Sequence, residues 1–167
     1  MTASRLLTTL DPEGWIVVDD AVMGGRSEGH LSSEEGHLVF HGVLRTRGGG
    51  FTSVRSNDLS DSLDGREAVV LRVRGDGRRY ACDLRKTPRI RGWGVTWRAE
   101  FDTRDGDWTE VVLPLEGFVP TWRGRRLDRS RVRGGEPFWA RTGSVGFMIA
   151  DGIDGPFRLE IGAVRAR

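Results

Sequence analysis

Val69-Val70-Leu71-Arg72-Val73-Arg74-Gly75-Asp76-Gly77-Arg78-Arg79-Tyr80-Ala81-Cys82-Asp83-Leu84 is the stretch whose reading decides the fold. Val69, Leu71 and Val73 alternate with Val70, Arg72 and Arg74, the two-residue period of a strand with one buried face. Gly75-Asp76-Gly77 supplies turn chemistry, and Tyr80, Cys82 and Leu84 resume the inward face, so the spacing predicts a β-hairpin. Downstream, Val95, Trp97, Ala99 and Phe101 alternate with Thr96, Arg98, Glu100 and Asp102. Arg104-Asp105-Gly106-Asp107 reads as a turn, with Trp108 to Leu113 returning as the partner strand until Pro114 stops it. Val145 to Ala150 is apolar on both faces and reads as a central, covered strand. Phe157, Leu159 and Ile161 form a last inward face, with Arg158 and Glu160 outward. Upstream, Trp15 to Val18 is a short strand ending at Asp19-Asp20. Leu38, Phe40 and Gly42 alternate with His37, Val39 and His41, and Phe51 to Arg55 follows Gly48-Gly49-Gly50. Short strands at about 8–12-residue spacing, with no helical stretch between them, predict an all-β sandwich of two antiparallel sheets.

The chain has 167 residues, enough for one well-packed domain, so residues 1–167 are expected to form one β-sandwich with 1–10 as a loosely ordered N-terminal segment. Its 24 glycines against 6 prolines fit turns and bulges rather than a flexible linker. A formal net charge of +2 gives little long-range attraction for nucleic acid, and no DNA partner is expected. Cys82 is the one cysteine, which excludes an intramolecular disulfide and a thiolate metal cluster and points to a reducing, cytoplasmic setting. Met1 to Leu10 is too short for a secretory core, and no window reaches the ~20 apolar residues of a membrane span. Trp122 to Gly135 holds six arginines and a single acid, Asp128, without strand periodicity, and reads as a long surface loop.

Candidate chemistry is sparse. Asp19 and Asp20 are adjacent, so on a strand they point to opposite faces and do not converge as an acid–base pair; a turn-organising role is expected, with cation binding as the alternative. His37 and His41 share a strand face but lie about 13 Å apart along it, too far for two ligands of one zinc, and the histidines are expected to face solvent. Asp76 in Arg74-Gly75-Asp76-Gly77-Arg78 is a turn signal with no phosphate-loop lysine behind it. Ser27 and Ser53 lack a nucleophile frame and an activating histidine. No catalytic centre, metal site or cofactor is therefore expected. Trp15, Trp97 and Trp108 fit packing within strands, whereas Trp93, Trp122 and Trp139 lie near loops, where exposed aromatics stack on sugars or partner side chains.

Taken in order, Asp20 with Val22-Met23-Gly24-Gly25 and Ser27, then Gly49-Gly50-Phe51 with Ser53 and Arg55, begin a recognisable series. It continues with Arg74-Gly75-Asp76-Gly77 and Tyr80, Phe101 and Thr103 before Trp108, and Leu113-Pro114, Phe118, Pro120 and Arg123-Gly124-Arg125. Gly146-Phe147 through Asp151 to Gly155-Pro156-Phe157 and Leu159 close it. From about Gly14 to Val164 this resembles the complex I intermediate-associated protein 30 family, although Asp128 to Thr142 matches poorly. The resemblance implies a jelly roll like the galactose-binding domains. It also implies a non-catalytic, chaperone-like role, since the mitochondrial members help to assemble respiratory complex I. The chain lacks their long N-terminal extension and is expected to be a compact bacterial member, cytoplasmic and reaching a membrane only through its partner. The expected partner is protein, namely complex I subunits or assembly intermediates. Trp122 and Arg123, with Arg125 and Arg126, are the candidate contact residues, and Asp20 with Arg55 a second surface. The alternative is a carbohydrate-binding module, suggested by the jelly roll and the loop tryptophans. An enzyme using Asp20, Asp76 and a loop arginine is a third reading.

Overall fold

A computed structural model describes residues 3–86, 94–132 and 139–167. The strands are β1 (Arg5–Leu6), β2 (Trp15–Asp19), β3 (Glu28–Glu34), β4 (His37–Leu44), β5 (Thr52–Ser56), β6 (Ala68–Arg74) and β7 (Arg79–Lys86). They continue as β8 (Thr96–Asp102), β9 (Trp108–Pro114), β10 (Val119–Trp122), β11 (Arg125–Arg126), β12 (Thr142–Ile149) and β13 (Gly155–Ala166). Short 3₁₀ turns link some of them, and the described residues contain no α-helix. All strand pairings are antiparallel. One sheet runs β3-β4-β13-β6-β9, with β1 added alongside β13; the other runs β11-β10-β8-β7-β12-β5-β2. The fold is the all-β, two-sheet jelly roll that the sequence implied.

The two sheets meet through the inward residues the alternation picked out. Phe40, Leu71, Tyr80, Leu84, Trp97, Phe147, Leu159 and Ile161 are buried, with Phe40 against Phe157 at 4.9 Å and Trp15 stacked on Phe147 at 6.0 Å. Each fully buried side chain of this size contributes roughly 1.5–3 kcal/mol relative to exposure, which pins the register of every strand that carries one.

Pairing differs from the sequence expectation in three places. The stretch from Val69 to Leu84 is not a hairpin: β6 pairs with β13 and β9, whereas β7 pairs with β12 and β8 in the opposite sheet. The Gly75-Asp76-Gly77 turn therefore carries the chain across the sandwich. The same holds for β8 and β9, which face each other across the core instead of pairing. Conversely, part of the expected loop after Trp122 is a hairpin, with Thr121 opposite Arg126 and Trp122 opposite Arg125. Its turn residues Arg123 (φ 50°) and Gly124 (φ 77°) both take left-handed conformations, the geometry that matches strand twist in a two-residue connection.

β3 had no sequence signal because it is an edge strand rich in polar residues, as exposed edges are. The N-terminal segment was expected to be loose, yet Arg5–Leu6 pairs with the end of β13. Leu7 is fully buried, and its amide donates to Val164 O at 2.9 Å, so a single apolar anchor fixes this segment and brings the two chain ends together.

Candidate functional site

Most of the glycine-flanked signature residues serve two carboxylates, Asp20 fully buried and Asp76 half-buried, that tie loops to the sandwich. Asp20 opens a 3₁₀ turn after β2 and is fully buried. Its carboxylate accepts from Ser27 N (3.0 Å), Ser27 Oγ (2.8 Å), Gly50 N (2.7 Å) and Phe51 N (3.3 Å). Burial works to raise this carboxyl, but the hydrogen bonds from Gly50, Ser27 and Phe51 outweigh it and hold Asp20 below the ordinary carboxylate range. A Cβ on Gly25 or on Gly49 would stand 2.6 Å from Asp20 Oδ2, which explains glycine at both positions. Asp20 was a candidate contact residue; with no exposed surface it is instead a tie between two loops. Asp19, the other half of the pair, accepts from Thr52 Oγ1 at 2.5 Å and from Gly29 N at 3.4 Å.

Asp76 plays the equivalent part at the sheet-crossing turn. It accepts from Tyr80 Oη (3.0 and 3.1 Å), Arg78 N (3.1 Å) and Arg158 N (2.7 Å). Arg78 then clamps the turn between β12 and β13 through Asp151 (2.9 and 2.6 Å) and the carbonyls of Gly155 and Pro156. The carboxylate oxygens of Asp20 and Asp76 are thus all engaged in hydrogen bonds within the fold.

With the loops and the core accounted for, Arg55 and Gly146 stand out. They lie opposite each other on β5 and β12 and face outward from the seven-stranded sheet. The same row continues through Asp83 on β7 and Arg98 on β8. Asp83 points away from the core yet is only 1% exposed, because arginines cover it. Arg98 grips it with Nε (2.6 Å) and Nη2 (2.9 Å), and Arg85 Nη2 adds a bond at 3.1 Å. Burial would raise this carboxyl; the Arg98 hydrogen bonds and the charges of Arg85, Arg98 and Arg55 hold it low. Sequence reading passed over Asp83 because strand alternation marks it as an ordinary outward residue. Only the register, which sets Arg98 directly opposite and Arg55 two strands away, assembles the group.

On the six-stranded sheet the outward row contains Glu160, Arg74 and Trp108. Glu160 is 4% exposed and accepts from both Arg74 and Arg158, and shares a 3.0 Å hydrogen bond with His37 Nε2. The Arg74 hydrogen bond is the largest of the contacts that bring its carboxyl down to about 2, against the opposing effect of burial. Trp108 lies between the Arg72 and Arg74 guanidiniums, 4.8 and 4.9 Å from its ring centre. His37 is thus buried, contrary to the solvent-facing expectation, because Glu160 and the edge of Trp108 enclose it. His30 is exposed and His41 half-buried, their rings 5.5 Å apart. Glu34, His37 and Glu160 come within ligand reach of one another, but two guanidiniums already hold the Glu160 oxygens and would repel a cation. The arrangement is an ion-pair network on a sheet surface.

The remaining candidates lie on the β10–β11 hairpin. Trp122 is 40% exposed and is the one aromatic residue in the exposed class among the described residues, with Arg123 Cζ 4.7 Å from its ring centre. Arg125 and Arg126 are exposed. Arg126 faces outward in the row of Thr121 and Thr96, on the same face as Arg98, so Arg55 and Arg126 share one surface. Arg129, exposed on its outer side, donates to Phe118 O at 2.6 Å and sits over Trp97. Trp139 packs on Trp97 and Phe118, and Trp93 lies outside the described residues. Cys82 is fully buried, and burial raises its thiol far above the usual range.

Fold and site define a two-sheet antiparallel β-sandwich of jelly-roll type with polar outer faces. Solved structures of similar fold include the family 11 carbohydrate-binding module of Clostridium thermocellum in complex with a β-1,3-1,4-mixed-linked tetrasaccharide (TM-score 0.66, 14% identity). That match covers 98% of this chain and 94% of that one. A family 30 module matches with a TM-score of 0.58 at 12% identity, over 99% of each chain. In sequence, residues 6–161 match the model of the complex I intermediate-associated protein 30 (CIA30) family, and the chain belongs to that family. It is 30% identical to the mitochondrial complex I intermediate-associated protein 30 of Mus musculus, over 90% of this chain and 51% of that protein. The Drosophila melanogaster counterpart is 32% identical over 88% of this chain and 56% of its own length, so the chain spans about half of these relatives. No helix among the described residues is long and apolar enough to cross a membrane.

Proposed function

We propose that this chain is a non-catalytic binding module that attaches to subunits or assembly intermediates of respiratory complex I, as an assembly factor of chaperone type. The observation that carries the reading is the family match running through almost the whole sandwich, loop knots included. The arrangement of charge supports it: the carboxylates best placed for chemistry are locked by hydrogen bonds inside the fold, while arginines remain at the surface. In this reading the chain works in the cytoplasm and meets the membrane through its partner, using the hairpin residues Trp122, Arg123, Arg125 and Arg126 together with Arg55. Kinship with carbohydrate-binding modules is at the level of fold. The described residues present one exposed aromatic, already covered by a guanidinium, where sugar stacking needs an open ring face. Affinity isolation from native lysate, with and without detergent, tests the proposal. Recovery of complex I subunits supports it, and a glycan-array signal with no such subunits recovered would replace it with the carbohydrate reading.

A further inference from the structure

We infer that the free edge of β2 pairs with the same edge of a second copy of this chain, joining two sheets across a two-fold axis at Val17. The hydrogen bonds of β2 fix which of its backbone groups are free. Asn57 N donates to Gly14 O and Asp20 N to Phe51 O, at the two ends of the β2–β5 register. Bonded residues alternate in an antiparallel pair, so Ile16 and Val18 turn their N–H and C=O groups to β5. Trp15, Val17 and Asp19 turn theirs to the open edge. Trp15 N–H is taken by Pro12 O. Asp19 caps the following 3₁₀ turn, where its C=O accepts. Trp15 C=O, Val17 N–H, Val17 C=O and Asp19 N–H remain, without a partner among the described residues. A two-fold axis through Val17 sets each of these groups against its complement. Val17 N–H meets the second copy's Val17 C=O, and Asp19 N–H meets the second copy's Trp15 C=O. The two occupied groups, Trp15 N–H and Asp19 C=O, fall opposite each other and forfeit nothing.

The side chains fit the same axis. Ile16 is 36% and Val17 39% exposed, so β2 is apolar on both faces, the pattern of an interior strand in an edge position. Across the axis Ile16 of each copy lies opposite Val18 of the other, a β-branched pair. The other sheet ends carry the charges or proline that keep an edge from pairing: Glu28 and Glu34 on β3, Glu110 and Pro114 on β9, Arg125 and Arg126 on β11. The single charge of β2, Asp19, is turned onto Thr52 Oγ1 and Gly29 N. A strand from another protein needs donors and acceptors at these same positions; the second copy supplies them by symmetry. The contact is confined to strands of five residues, less than a permanent dimer buries, so the association is weak and reversible. The β10–β11 hairpin lies at the far end of the sheet and stays free in both copies, so the dimer presents two such hairpins.

The pairing goes beyond the binding-module reading and does not rest on it: a lysate isolation that recovers no complex I subunit leaves it standing. Sedimentation velocity of the whole chain from about 10 µM to about 1 mM, with amide exchange followed by NMR, tests it. A reversible monomer–dimer equilibrium is expected, with a dissociation constant on the order of 0.1 mM. The Val17 and Asp19 amides should exchange more slowly as concentration rises. Val17→Pro removes a donor that the monomer does not use, and abolishes the dimer. Val17→Lys sets like charges against each other at the axis and weakens association at least tenfold, an effect that raised salt partly reverses. Ser32→Lys, on the edge of the other sheet, leaves association unchanged. A chain that stays monomeric to about 1 mM would overturn the inference, even where the same edge takes up a strand from another protein. So would a dimer whose protected amides lie on β3, β9 or the hairpin, or parental association in folded Val17→Pro. If that variant does not fold, parental association in Val17→Lys is decisive.

Discussion

Replacing Asp20 by asparagine removes one charge and turns one oxygen into a donor, at a site where only donors face it. The carboxylate accepts four hydrogen bonds, three of them from backbone amides at both ends of two loops. In the best orientation the remaining oxygen keeps Gly50 N, Phe51 N and Ser27 Oγ, while the new amide points its hydrogens at Ser27 N. That leaves one buried donor without an acceptor, costing about 1–3 kcal/mol, and removes the charge assistance from the rest, for a total of about 2–4 kcal/mol. In a domain of this size the melting temperature should fall by roughly 5–15 °C. Thermal denaturation followed by circular dichroism at neutral pH measures it. The acid limb provides a second signature. Because the folded Asp20 lies below its unfolded value, its contribution is complete above the ordinary carboxylate range and is lost as pH falls through the folded value. Asp20→Asn should therefore lose less stability than the parent over that acid window. A variant melting within about 1 kcal/mol of the parent would refute the view that this carboxylate holds the two loops together.

Gly25→Ala drives a Cβ into the same carboxylate and should cost more than Gly24→Ala, whose Cβ meets nothing within 4 Å and pays only for the left-handed backbone, about 1 kcal/mol; parallel melts decide the order. Cys82 should resist alkylation in the native chain and react once denaturant unfolds it, since both burial and a raised thiol pKa suppress the thiolate; mass spectrometry of native and denatured samples reads this directly. The Trp122→Ala, Arg123→Ala double variant should lose partner capture in the lysate isolation while its melting temperature stays near the parent's, as both side chains are exposed at the tip of a hairpin. Unfolding of that variant would assign the pair to the sandwich itself.

The sequence by itself determined most of the strands, and which way each of those faces. Burial of alternate residues is a local, two-residue pattern, and Val69, Leu71, Val73 and Tyr80, Cys82, Leu84 all point inward as their order requires. The ordered glycine motifs also marked the two loop knots, since a glycine beside an acid in a turn leaves a local trace. Pairing was not legible. Two apolar strands joined by a short turn bury the same residues whether they lie side by side or face each other across a core, so β6–β7 and β8–β9 were read as hairpins. Only the competition of all strands for neighbours resolves such cases, here through β13, which pairs with both β4 and β6 and thereby leaves β7 to the other sheet. The arginine cluster has the same origin. Arg55, Asp83, Arg98 and Gly146 sit on four strands far apart in sequence, each unremarkable alone. They become one ion-paired cluster because antiparallel register places them in one row and burial makes the Asp83 charge dependent on its neighbours.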